Sequence, residues 1–250
     1  MSRSIALKQG LGVKPIALSW FWDELTRVQR LVFWGTLSLK VVASCLYGSR
    51  YSNDLFVPFI DYFVSSGFSN PWAHFAHSVP DAFPYSGGML ALLSIPRLLL
   101  NPFMQAGTVS SLHLLALRIP LLVADIVILR VLVSWFPTRM NRVLFLYWCS
   151  PIVFYISYIH GQLDALPTAL VLVALASLIR KRFLLSGLLY GAAISTKFSV
   201  LAIAPFLILY PFKRSERIQS PYPDLARWVS GVLLSLSVLV VPFCFAPSFR

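Results

Sequence analysis

The sequence predicts an all-α fold, a polytopic transmembrane helix bundle of about seven spans. Two observations predict it. Of 250 residues, 58% are hydrophobic and only 12% are charged, with a mean hydropathy of +0.75. Soluble domains carry about a quarter charged residues, so this chain cannot coat a water-facing surface. Its apolar residues also fall into runs approaching the ~20 needed for a hydrocarbon core of about 30 Å. Disorder, a disulfide scaffold and a cytosolic enzyme are excluded at this step.

The runs lie at 28–47, 113–135, 143–159, 164–179, 183–196, 199–212 and 228–246. The first 27 residues hold no apolar core of signal-peptide length, because Ile5-Ala6-Leu7 is too short a run and Asp23-Glu24 interrupts the next one. No cleaved segment is expected. An eighth stretch, 86–100, contains Gly87-Gly88, Pro96 and Arg97. Charge decides how it lies. If it rests flat at the interface, Arg27, Arg30, Arg139, Arg142, Arg180, Lys181, Arg182, Lys213, Arg214, Arg217 and Arg227 share one side with the amino-terminal cations. Arg50, Arg97, Arg118, Lys197 and Arg250 alone fall on the other, with Lys40 and Arg130 inside spans. The positive-inside rule makes the first side cytoplasmic. Residues 1–27 thus form a cytoplasmic segment and 28–250 a membrane-embedded module. Its long extracytoplasmic first loop, about 48–112, carries interfacial helices.

The same reasoning accounts for the formal charge of +12, 21 Lys+Arg against 9 Asp+Glu. Cytoplasmic loops of multi-pass proteins collect cations, so no nucleic-acid partner is needed. Cys45, Cys149 and Cys244 have neither metal-ligand nor disulfide spacing and are expected to be buried free thiols.

Carboxylates gather on the extracytoplasmic side, at Asp54, Asp61, Asp81 and Asp164. Residues 54–64 are too apolar for a solvated linker, and Pro58 is expected to break any helix there. Asp54 and Asp61, seven apart, are compatible with one helical face. A carboxylate in an apolar pocket has a raised pKa and can act as a general base. Solvation is the plain alternative for either one. In YISYIHGQLDALPTAL, Gly161 permits a tight turn between two spans and Asp164 falls where it can cap the next helix. His160 and Gln162 add polar groups on that turn, suited to hydrogen-bonding a head group. Lys197, between two apolar runs, has no acidic neighbour in sequence. An isolated lysine at membrane depth marks a functional site by default, here a phosphate anchor, with snorkelling as the alternative. Arg118 and Asp125 share a helical face. Asp125 reads as part of a network between helices, while Arg118 reads equally as structural or as a phosphate contact.

These features in this order resemble the GT-C superfamily of polytopic glycosyltransferases, which use polyprenyl-phosphate-linked sugars. The resemblance rests on Asp54 after the first span, PYSGGMLALLSIP, LRIPLLVAD and the stretch SPIVFYISYIHGQLDALPTALVLVALASLIRKRFLLSGLLYGAAISTKFSVLAIAPFLIL. It implies hexosyl transfer with inversion at the extracytoplasmic face, to a lipid or to a protein or glycan acceptor. The membrane would be the bacterial inner membrane or the endoplasmic reticulum. It implies that Asp54 is the catalytic base, with Asp61 a contender, and that Lys197 and Arg118 meet the donor phosphate. His160, Gln162 and Asp164 would then face the sugar head group. Some relatives use a divalent ion and others do not; no three-ligand cluster is visible here. Where many members carry a Pro-Pro pair, this chain reads Pro84-Tyr85-Ser86-Gly87-Gly88. Many also run on into an acceptor-choosing half, so a missing half or a partner subunit is expected to supply it. The alternatives from other classes are a noncatalytic membrane subunit and a lipid-binding or transport protein for anionic polyprenyl lipids.

Overall fold

The computed structural model describes residues 22–23, 25–79, 81–104, 109–214 and 222–244; among these no strand occurs. Most of the amino-terminal segment, Glu216, Arg217 and the end from 245 lie outside the described residues.

Helix α1, Arg27–Leu46, starts at a capping box. The Gln29 N–H donates to Thr26 Oγ1 at 3.3 Å, and the Thr26 N–H to Gln29 Oε1 at 2.8 Å. Two of the orphan N–H groups of the first turn are thereby satisfied. After a short break the chain turns by 65° into α2, Tyr51–Ser65. Pro58 does not break this helix, contrary to expectation. Tyr51–Phe56 is wound as a π-helix, and Pro58 stands in the first turn of the α-helical part, Val57–Ser65. A first turn needs no intrahelical N–H, so proline is tolerated there. The short α3, Pro71–Phe75, comes next.

The 86–100 stretch forms α4, Gly87–Leu99. Thirteen residues rise about 20 Å, short of a ~30 Å hydrocarbon core. Met89, Leu90 and Leu93 are fully buried, whereas Ile95, Leu98 and Leu99 are exposed. The next helix, α5, is the longest at 25 residues, Ser111–Trp135. Buried side chains of α2, α4, α5 and the start of α8 form the main core, with Phe59, Met89, Leu121 and Leu163 at its centre.

Helices α6, Pro137–Trp148, and α7, Pro151–His160, form a second pair bent by 42°. Pro151 follows Ser150, whose hydroxyl caps the new turn at Val153 N. Then come α8, Ala165–Ile179, and α9, Phe183–Thr196. A 3₁₀ stretch, Phe198–Ile203, leads into α10, Ala204–Arg214, and the described chain ends with α11, Tyr222–Leu239, and α12, Val241–Cys244. Backbones of α9 and α11 touch. A Cβ on Gly191 would lie 2.7 Å from the Val232 carbonyl oxygen, and one on Gly231 2.5 Å from that of Leu184. Small residues permit this approach between helices whose outer faces are apolar.

Among the described residues the apolar runs predicted to span are helical, with a break at Cys149-Ser150 in one of them, but length and composition support fewer crossings than seven. Two helices, α5 and Tyr222–Phe243, are long and apolar enough alone; each bent pair counted as one span brings the number to four. Large apolar side chains of α1, among them Val28, Leu31, Trp34 and Leu39, are exposed, as lipid-facing positions are. Cys45 and Cys149 are free, and half-buried rather than buried.

Candidate active site

Two buried charge clusters frame the bundle, and a third, more open set of polar groups lies at one end. In the first cluster, Lys40 of α1 and Asp125 of α5 pair at 2.6 Å with essentially no exposure. Tyr158 donates to the same carboxylate at 2.8 Å, and Tyr147 donates to its other oxygen. The Lys40 ammonium also sits 3.6 Å from the centre of the Trp148 ring. The carboxylate is thus saturated, and the network joins α1, α5 and the α6–α7 pair. Asp125 does read as a network residue, but its ion-pair partner is Lys40 and not Arg118.

In the second cluster, Asp61 of α2 pairs with Arg97 of α4, whose Nη1 also donates to Asn101 at 2.7 Å. His113 of α5 closes the group, its Nε2 3.3 Å from Asp61 without hydrogen-bond alignment. The Ser110 N–H donates to His113 Nδ1, so Nε2 carries the proton of the neutral ring. A void of about 10 Å³ beside them is the size of one water. Asp61 therefore ties three helices together.

Asp54 has a different setting. Its side chain is 62% exposed, and its charge partner is Arg50, at 3.6 Å and itself exposed. Asp54 and Asp61 share no partner, although seven residues usually return to one face. The wide π turn containing Asp54 puts α2 out of α-helical register between them.

Around Asp54 the chain brings distant segments together. Arg118 is fully buried and donates through Nη2 to Ser52 Oγ at 3.2 Å. Its Nε and Nη1 have no hydrogen-bond partner among the described residues. The turn between α7 and α8 lies over this pair. Gly161 there has φ +92°, and a Cβ on it would stand 2.7 Å from Ser52 Oγ and 3.1 Å from Arg118 Nη2. Both the left-handed backbone and the close approach call for glycine. His160, exposed, meets the Tyr51 ring edge-on at 6.4 Å. Phe56 packs on Tyr85 at 5.8 Å, and burial pushes the Tyr85 phenol above its usual pKa, with the nearby Asp164 carboxylate adding to the shift.

Asp164 stands at the start of α8, but its side chain does not cap that helix. It pairs instead with Lys197, at the end of α9, 33 residues away in sequence. Both remain partly open, 36% exposed for Lys197 and 49% for Asp164. Next to them, Ser86 donates to the Ser195 carbonyl and fixes the start of α4 against the end of α9. Of the residues singled out in the sequence, Asp54, Arg118, His160, Gln162, Asp164 and Lys197 thus belong to elements linked by these contacts, while Asp61, on the same helix as Asp54, is engaged with Arg97 and His113 instead. Sequence reasoning passed over Ser52, Tyr85 and Ser86. It also left Lys40 and Asp125 unmatched, although two opposite charges inside separate spans are each other's natural partners. Among the described residues no three His, Cys, Asp or Glu side chains gather as metal ligands.

An all-helical chain with membrane-length apolar helices and this carboxylate-and-cation end has the makings of a membrane-embedded transferase. Residues 83–249 match the family model of the ALG6, ALG8 glycosyltransferase family, and the chain belongs to that family. No curated protein and no solved structure matches it. The matched region holds Arg118, His160, Gln162, Asp164 and Lys197; Asp54 and Asp61 precede it. Family and apolar helices together mark a glycosyltransferase and an integral membrane protein of the endoplasmic reticulum, with a lipid-linked sugar donor.

Proposed function

We propose that the chain transfers a hexose from a polyprenyl-phosphate sugar to a lipid or glycan acceptor at the extracytoplasmic face, with inversion. The observation that carries this reading is the contrast between an open carboxylate, Asp54, whose ion-pair partner Arg50 is itself exposed, and cations held at the same end of the bundle. Asp54 takes the proton of the acceptor hydroxyl. The oxygen attacks the anomeric carbon, the bond from that carbon to the phosphate oxygen breaks, and the lipid phosphate leaves with the electron pair. Lys197 and Arg118 offset the charge that develops on this leaving group. Asp164 orients Lys197, and His160 and Gln162 hydrogen-bond the sugar. Asp61 is assigned to the scaffold, because its charge is already matched by Arg97. In this reading the seven apolar runs cross the membrane, the bent α6–α7 pair as one span, α2 belongs to the extracytoplasmic loop, α4 lies at the interface, and residues 28–250 act as one module.

Binding tests it without needing an acceptor. Purified protein is titrated with polyprenyl-phosphate-glucose, polyprenyl-phosphate-mannose and uncharged polyprenol. The expected result is preference for one sugar-phosphate lipid, lost on Lys197→Ala. Equal binding of all three, indifferent to Lys197, would favour a noncatalytic subunit instead.

A further inference from the structure

At the other end of α1, away from the site, the structure holds a polar cleft of about 620 Å³. It is lined by Thr26, the cap of α1, by Gln29 of that helix, and by Thr138, Arg139, Asn141 and Arg142 of the α6 start, with Met140 also in the wall. The twenty residues of α1 place some 30 Å between this cleft and the Asp54 end. Arg139 and Arg142 are both exposed, and among the described residues no carboxylate pairs with either. Gln29 donates to Asn141 at 2.6 Å, which fixes two amides across the cleft. Met140 meanwhile belongs to the apolar cluster of Leu25, Phe33 and Trp148, so the wall beneath is rigid.

From this we infer that the cleft binds the head group of an anionic phospholipid that carries hydroxyls as well as phosphate, a phosphorylated inositol lipid. Three features select that chemistry. Two guanidinium groups three residues apart suit a phosphate, which arginine can engage by paired N–H donors. The amides and threonine hydroxyls donate and accept, as a polyol requires. The volume falls in the range of small-molecule sites, about 300–1,000 Å³, and exceeds what a bare phosphate fills. The flank points to a lipid as the source. Trp22 stacks on Trp34 at 5.5 Å, and Val28, Leu31 and Trp34 are exposed along α1 above the cleft. Tryptophans at this level are typical of the membrane interface, and the apolar stripe offers a path for acyl chains. Basic pockets between membrane helices bind phosphoinositide head groups by the same electrostatics. Lipid binding in this cleft is independent of the transfer reaction.

The test uses the purified full chain in a neutral detergent. Three probes are titrated: dioctanoyl phosphatidylinositol 4-phosphate, dioctanoyl phosphatidylserine and free inositol 1,4-bisphosphate. The inositol lipid is expected to bind at least about tenfold more tightly than either of the others. Arg139→Gln/Arg142→Gln should weaken it by about thirtyfold, at roughly fivefold per cation near a charged lipid. Lys181→Gln/Arg182→Gln, an equal loss of charge elsewhere, should change it by less than about twofold. Thermal unfolding of both variants checks that they remain folded. Equal losses in the two double variants would reduce the effect to general electrostatics and overturn the site. Equal affinity for phosphatidylserine would overturn the polyol assignment, and equal affinity for the free bisphosphate would overturn the lipid.

Discussion

Two lysine–aspartate pairs in this molecule use the same chemistry in opposite ways. Lys40–Asp125 is sealed inside the bundle, with both tyrosine hydroxyls and the Trp148 face completing its contacts. Lys197–Asp164 joins the ends of two helices and leaves a third to a half of each side chain open. A sealed pair has no donor or acceptor left for a ligand, so its effect is on folding and helix placement. A half-open pair costs little to disturb and can exchange a partner. The difference teaches that burial, and not the identity of the ion pair, separates scaffold from site here.

The largest effect should come from the sealed pair. Asp125→Ala strands a buried ammonium and should destabilise the protein by about 3–5 kcal/mol, read by thermal or denaturant unfolding in detergent. Replacing both members with apolar residues, Lys40→Met/Asp125→Leu, should recover much of that loss. Failure to recover would mean that the tyrosines need the carboxylate for themselves. For the half-open pair the balance reverses. Lys197→Ala should change unfolding by less than about 1 kcal/mol, since an exposed pair is screened. It should weaken donor binding by ten- to a hundredfold, the loss of one charge-assisted bond of about 1.5–3 kcal/mol. A large unfolding shift with unchanged donor affinity would erase the contrast between the pairs. Gly161→Ala should cost about 1–2 kcal/mol in stability through its left-handed backbone, and more where the new methyl meets Ser52 and Arg118. Smallest should be Tyr158→Phe. It removes one of the sealed carboxylate's donors and should cost about 1 kcal/mol, with donor affinity unchanged.

Much of this was legible in the sequence, but unevenly. Helix positions followed from apolar runs because a membrane helix needs only length and hydrophobicity. The Gly161 turn followed from a residue type that tolerates positive φ. Lys197 was legible as an unusual charge, and its partner was not, because 33 residues separate it from Asp164 and only the packing of α8 on α9 closes that distance. Asp54 and Asp61 looked equivalent because sequence spacing assumes an α-helical period. The π turns of Tyr51–Phe56 change that period and leave no mark in composition. The basic cleft was invisible for a related reason. Arg139 and Arg142 read as ordinary cytoplasmic cations until Thr26 and Gln29 are placed opposite them.

The most direct measurement compares Asp54→Asn with Asp61→Asn in a sugar-transfer assay, alongside thermal unfolding of each. The account predicts that Asp54→Asn lowers the transfer rate by at least about a hundredfold with an unchanged unfolding midpoint. Asp61→Asn should lower the midpoint by breaking the contact with Arg97, while the folded fraction keeps a rate within a few-fold of the parent. The reverse pattern, a catalytic loss at Asp61 and none at Asp54, would contradict the assignment of base and scaffold.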